Sequence, residues 1–176
     1  AGFNVSVGPA VRLGLRREPG AAEGGLAFRA QPVLEVQDAG GNRVDGDNAT
    51  TVTAALLVDA AAEGNATLSG AGVVSPLTMV RGAVSFRDLA INVRGVGYVI
   101  RFAAQAGPVA RNVTGAAALV DSPPFTVGTG PTAAMRFAQA VGGARGGIPF
   151  EWQPVIELVD AGGNVNEQDN HSTVTV

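Results

Sequence analysis

Hydrophobic and polar residues alternate with a period of two through much of this 176-residue chain. The clearest run is Phe28 to Asn42, FRAQPVLEVQDAGGN. Phe28, Ala30, Pro32, Leu34 and Val36 share one face, and Arg29, Gln31, Val33, Glu35 and Gln37 the other. One apolar face at that period predicts a half-buried β-strand, and Asp-Ala-Gly-Gly-Asn after it predicts a turn. The pattern returns as FEWQPVIELVDAGGN at Phe150 to Asn164, with Phe150, Trp152, Pro154, Ile156 and Leu158 inward. Extended outward, residues 1–54 align on 123–176 without a gap at an offset of 122, and 23 of the 54 pairs are identical.

Other alternating stretches fill the first repeat. Val11, Leu13 and Leu15 predict a first strand, and Thr51 to Val58 another with Val52, Ala54, Leu56 and Val58 on one face. Thr67-Leu68-Ser69 reads as a short strand after a turn at Glu63-Gly64-Asn65. Leu77 to Val80 and Ala83 to Phe86 flank Arg81-Gly82 as a hairpin. Leu89, Ile91 and Val93 alternate, as do Tyr98, Ile100, Phe102 and Ala104, and a further strand is expected near Val113 to Leu119. Pro123-Pro124 cannot sit in a central strand, so it begins an edge strand or a joint. No 3.6-residue period persists; Asp59 to Glu63 is the nearest approach to a helical turn. Short strands at this spacing predict an all-β fold of the β-sandwich type. The expected core is Val11, Leu13, Phe28, Leu34, Val36, Val52, Leu56, Phe86, Ile91, Tyr98, Ile100, Phe102 and Phe125.

The repeat also predicts the organisation. Phe3-Asn4-Val5 pairs with Phe125-Thr126-Val127, which closes the full repeat, so residues 1–7 read as the last strand of a preceding unit. Residues 8–127 then form one complete domain, and 128–176 the first half of the next. The link at Gly128-Thr129-Gly130 is short enough to limit relative motion. The absence of an initiator Met and of a signal-peptide pattern predicts an interior piece of something longer.

Composition narrows the function. A net charge of −3 gives no electrostatic case for nucleic acid or an acidic membrane surface, and no apolar run approaches the ~20 residues of a membrane span. Cysteine is absent, which excludes a disulfide framework and thiolate metal sites. Five of the nine Asn open an N-x-S/T sequon, namely Asn4, Asn48, Asn65, Asn112 and Asn170. With Ser and Thr at about a tenth of the chain, chance would give about one. Asn48 recurs at Asn170 under the repeat, which favours a glycosylated surface, whereas turn-rich β-proteins also place Asn beside Ser and Thr for conformational reasons. All twelve basic residues are Arg.

Candidate chemistry is sparse. The single His, His171, lies in a sequon loop, and no Ser sits in a nucleophile elbow. No cofactor site is read, and no enzymatic activity is expected. Asp38, Asn42, Asp45, Asp47 and Asn48, echoed by Asp160, Asn164, Glu167, Asp169 and Asn170, admit either a calcium loop or plain turn chemistry. The spacing does not fit an EF-hand, and turn chemistry is the simpler reading. Trp152 admits sugar stacking, but it falls on the inward phase of its strand, which predicts core packing. Gly142 to Gly147 resembles an RGG segment and corresponds to the inter-strand loop Gly20 to Gly25.

The run Gln31 to Asn42, with its V-x-D-x-x-G-N element, followed by Thr51-Val52-Thr53, resembles tandem immunoglobulin-like repeats of extracellular proteins, including bacterial adhesin-type domains. Gly97-Tyr98 with Ile100, and Pro124-Phe125-Thr126-Val127, are similar to strands of filamin-type repeats. Sequons, Arg without Lys and the Ser122-Pro123-Pro124 step together resemble large green-algal surface glycoproteins, of cell walls or mastigonemes. This resemblance implies immunoglobulin-like β-sandwich repeats in tandem with a structural or adhesive role at the cell surface. It implies N-glycans at the five sequons, hydroxyproline at Pro123 and Pro124, and partners among neighbouring repeats and other extracellular structural proteins. A carbohydrate- or protein-binding module, or a non-catalytic accessory domain of a larger surface enzyme or bacterial adhesin, are the alternatives.

Overall fold

A computed structural model of the chain describes residues 2–57, 65–112 and 118–175, and they form an all-β fold. In chain order the elements are β1 (Arg12–Arg17), β2 (Ala22–Glu23), β3 (Val33–Gln37), β4 (Thr51–Leu57), β5 (Leu68–Ser69), β6 (Leu77–Thr78) and β7 (Ala83–Ser85). Then come β8 (Ala90–Ile91), β9 (Gly95–Ala106), α1 (Pro108–Asn112), β10 (Leu119–Asp121), β11 (Phe125–Gly128), β12 (Ala134–Gln139) and β13 (Val155–Val159).

β1, β3 and β7 make one antiparallel sheet in that order. A second sheet is built on β9, whose alternation buries Tyr98, Ile100 and Phe102 completely. β4 lies along one side of β9, from Thr51 opposite Ala106 to Leu57 opposite Val99. β10 and then β11 line its other side. The two sheets share one core: Leu13, Leu34 and Val36 come from the first, and Val52, Ala54, Tyr98, Ile100, Phe102 and Val127 from the second. Phe86 and Phe102 meet across it at 5.2 Å between ring centroids, and Phe28 meets Phe125 edge-on at 5.6 Å. Each fully buried large side chain contributes roughly 1.5–3 kcal/mol, so this set is the main source of cohesion. The turn of the expected hairpin forms, closed by the single Val80–Ala83 bridge with Arg81 at φ 51° and Gly82 at φ 69°, but the flanking strands do not pair with each other. It is also a crossover, because β6 pairs with β4 in one sheet and β7 with β3 in the other.

Several expectations are corrected. The strand expected from Phe28 is only Val33–Gln37, and its outer face is only partly solvated, with Glu35 buried between the half-buried Val33 and Gln37. Upstream, Pro32 has no N–H for a ladder. Gln31 is buried instead, donating to the carbonyls of Phe28 and Leu89 and accepting from the Leu89 N–H. Phe3-Asn4-Val5 is exposed and pairs with no strand among the described residues. Among the expected core residues, Val11, Leu56 and Phe125 are only partly buried. Met79, Leu89, Val109 and Val127 complete the core, and α1 was not anticipated. β11 is not a free edge, since β2 runs parallel to it. Ser122 bridges the step before Pro123-Pro124: its N–H donates to the Ile100 carbonyl and its Oγ accepts from the Ile100 N–H. The turn at Asp59 to Glu63 and most of the strand near Val113 to Leu119 fall outside the described residues.

The second copy of the repeated segment repeats the first in backbone detail. β12 and β13 occupy the positions of β1 and β3 displaced by the offset, and Ala134 faces Val159 as Arg12 faces Gln37. Even the irregularity recurs, between Leu15 and Arg17 and between Phe137 and Gln139. Burial does not recur. Trp152 is 58% exposed, and Phe150 and Ile156 are exposed with it. Among the described residues no second sheet lies over them.

Candidate functional site

The turn Asp-Ala-Gly-Gly-Asn is where the two copies meet. Asp160 is buried, and its carboxylate is wrapped by donors. Oδ1 accepts from the N–H groups of Gly162 and Asn164, both at 2.9 Å, and Oδ2 from the N–H of the linker residue Gly130 at 2.8 Å. The Asn164 amide donates to both carboxylate oxygens at 2.9 Å. This fixes its orientation and aims it at the loop before β9. There Asn164 Nδ2 donates to the Asn92 carbonyl at 2.8 Å, and its Oδ1 accepts the Arg94 N–H at 2.9 Å. Both polar ends of one side chain are thus spent on the backbone of the first copy.

Glycine makes this approach possible. A Cβ on Gly162 would lie 1.9 Å from the Asn92 carbonyl oxygen, and one on Gly25 would lie 2.4 Å from the backbone of Ala161 and Gly162. The linker is pinned as well, since Gly24 donates to the Gly128 carbonyl. Arg94 adds an ion pair with Glu167 at 3.6 Å; exposed as it is, such a pair contributes little. Beside the joint lies an open cleft of about 830 Å³ lined by Glu23, Arg29, Arg94, Thr132, Glu167 and His171 among others. Arg29 and Glu23 are already paired across it at 2.7 Å.

Electrostatics follow from the donors. Burial pushes the Asp160 carboxyl up, but the N–H of Gly130 and the donors of Asn164 and Gly162 outweigh it, and the net shift is downward. Asp38, its counterpart, is lowered to about 2, first by the Gly8 N–H and then by Asn42. Asp169 is also lowered, chiefly by the Thr132 hydroxyl and then by Ser172. These are acids stabilised as anions by fixed dipoles.

No family model, curated protein or solved structure matches this chain.

The sequons divide by environment. Asn4, Asn48, Asn65 and Asn170 are exposed, with Asn65 in the left-handed region at φ 86°. Asn112 closes α1, and its side chain lies outside the described set. Asn48 accepts the Arg81 N–H at 2.8 Å on Oδ1, while Nδ2, the atom that carries an N-glycan, only approaches the Gly46 carbonyl at 3.4 Å. The hydroxyl of the same sequon is occupied: Thr50 Oγ1 donates to Asp47 Oδ2 at 2.6 Å, and Ser172 Oγ to Asp169 Oδ2 at 2.8 Å. The recurrence of the sequon therefore has a structural cause in the Asp-Asn-x-Ser/Thr turn as well as any role in modification. Pro123 and Pro124, the candidate hydroxyprolines, are both exposed.

The carboxylates proposed for calcium do not converge. Among the described residues no three His, Cys, Asp or Glu come together. Asp38 and Asp47 direct their oxygens at N–H and O–H donors, where a cation would be repelled. His171 is exposed and donates its backbone N–H to Asp169. The residues that sequence reasoning missed are Asn92, Arg94 and the Gly24-Gly25 pair. Gly24 and Gly25 recur at 146 and 147 within the loop correspondence already noted, but glycine in a loop reads as flexibility and not as a contact.

Proposed function

We propose that this chain is a segment of a long extracellular, N-glycosylated array of immunoglobulin-like β-sandwiches, with units at 8–127 and from 128 onward and a structural or adhesive role. The Asn164 clasp carries this reading. A spacer between independent binding domains has no use for a side chain that fixes one copy against the next, whereas a fibre needs that geometry repeated. The exposed Asn4, Asn48, Asn65 and Asn170 support it, since glycans there would keep strand edges from pairing with other chains. The partners are then neighbouring repeats and other surface proteins, as in a surface fibre, ciliary hair or cell wall.

Two measurements test it. Residual dipolar couplings from residues 8–127 and 128–175 are expected to fit one alignment tensor, and to need two after Asn164→Ala. Two independent tensors in the unaltered chain would sink the array. Glycopeptide mass spectrometry on the native protein is expected to find Asn48 and Asn170 occupied; five bare sequons would move the reading to a bacterial adhesin. A binding module is the second reading, favoured by the cleft beside the joint. Glycan-array binding that is lost in Arg29→Ala would select it.

A further inference from the structure

The first copy carries the same clasp, with nothing on it. Gly8 donates to Asp38 Oδ2 at 2.9 Å, the Asn42 N–H to Oδ1 at 2.8 Å, and the Asn42 amide to the two oxygens at 3.2 and 3.1 Å. Gly41 sits at φ 85°, and its counterpart Gly163 at φ 86°. In the second copy this arrangement holds the Asn92 carbonyl and the Arg94 N–H. In the first, Ala39, Gly40 and Asn42 are exposed, and among the described residues the Asn42 amide bonds only Asp38.

Gly40 sharpens the point. A Cβ there would meet only atoms of its own turn, Asn42 Nδ2 at 3.0 Å and Asp38 Oδ1 at 3.4 Å. At Gly162 the same atom would strike the backbone of the neighbouring copy. The two poles of the 8–127 unit are therefore a complementary pair: Asp38 to Asn42 at one end, and Gly24-Gly25 with Asn92 to Arg94 at the other.

We propose that the face formed by Ala39, Gly40 and Asn42 is a docking surface for the Gly24-Gly25 and Asn92–Arg94 pole of another copy of this unit, with Asn42 bridging the partner's Asn92 carbonyl and Arg94 N–H. This deepens the array reading and rests on it. The contact is head-to-tail and leaves a free pole at each end, so it propagates rather than closing. An acid three residues on is kept too, since Asp45, here paired with Arg43, stands where Glu167 meets Arg94.

The test is a concatenated chain in which a second copy of residues 8–129 precedes residues 8–176, so that one molecule contains the proposed joint and the observed one. Hydrogen exchange of the Arg94 N–H is read in both copies. The expected result is protection at the new joint comparable to that at the old one, falling about tenfold when Asn42→Ala is introduced in the central copy, as the loss of one net hydrogen bond implies. Gly40→Ala in the same copy is expected to open the new joint by steric conflict while leaving the melting of the parent chain nearly unchanged. Rapid exchange at the new joint beside a protected Asn164 joint would overturn this proposal and leave the array reading standing. Rapid exchange at both would overturn the two together.

Discussion

β1–β3 and β12–β13 are the same strand pair written twice, with opposite surroundings. Their registers match residue for residue, and so do their irregularities. Yet Leu13 is 5% exposed where Met135 is 60% exposed, and Phe28 is 3% exposed where Phe150 is 44% exposed. Pairing and turn geometry are local properties, encoded within about thirty residues and insensitive to what lies above the sheet. Burial is supplied from far along the chain, by β4, β9 and β11. The same apolar position is thus covered in one copy and uncovered in the other, and long-range partners make the difference.

The comparison breaks most visibly at equivalent core positions. Leu34→Ala is expected to cost about 2–5 kcal/mol in denaturant unfolding, as a fully buried leucine does, whereas Ile156→Ala is expected to cost under about 1 kcal/mol. Equal losses would mean that the second copy is as covered as the first. The Asp47–Thr50 turn sharpens it next. Thr50→Ala removes the bond to Asp47 and leaves a buried acceptor, for an expected loss of about 1–2 kcal/mol. Thr50→Ser, which copies the residue at 172, is expected to retain most of that bond and the sequon. The smallest effect is acidic titration. The Asp38 pKa is lowered to about 2 from an ordinary 3.8, so the unfolded chain takes up the proton first as pH falls. Stability contributed by Asp38 is complete above about pH 4 and lost between 3.8 and about 2. Asp38→Asn is expected to flatten that limb of a melting-temperature profile, and an unchanged limb would remove the clasp from the account.

Much of this was legible along the chain. The alternation of Tyr98, Ile100 and Phe102 announced the central strand, and the offset of 122 announced that β12 and β13 would copy β1 and β3. What was not legible lay in contacts between distant residues. Gln31 reads as a solvated polar residue and is buried, because its amide bonds the Phe28 carbonyl and the Leu89 N–H and adds a second donor to the Leu89 carbonyl, which also accepts the Phe28 N–H. Glu35 reads as solvent-facing and is covered, with Arg16 at 2.6 Å and Arg43 at 3.7 Å. Asn164 reads as a turn residue, and that reading is correct but incomplete. Its backbone closes the turn while its side chain reaches Asn92, a contact 72 positions away that no local pattern encodes.

The pinned linker has a mechanical consequence. Gly128 accepts from Gly24, Gly130 donates to Asp160, and Asn164 grips the loop before β9, so the linker is tied to both copies and the second copy to the first. Tension along the chain must part these bonds before the linker can extend. If they part, three linker residues can straighten by no more than about 10 Å. Such a joint yields by little, a short elastic stop.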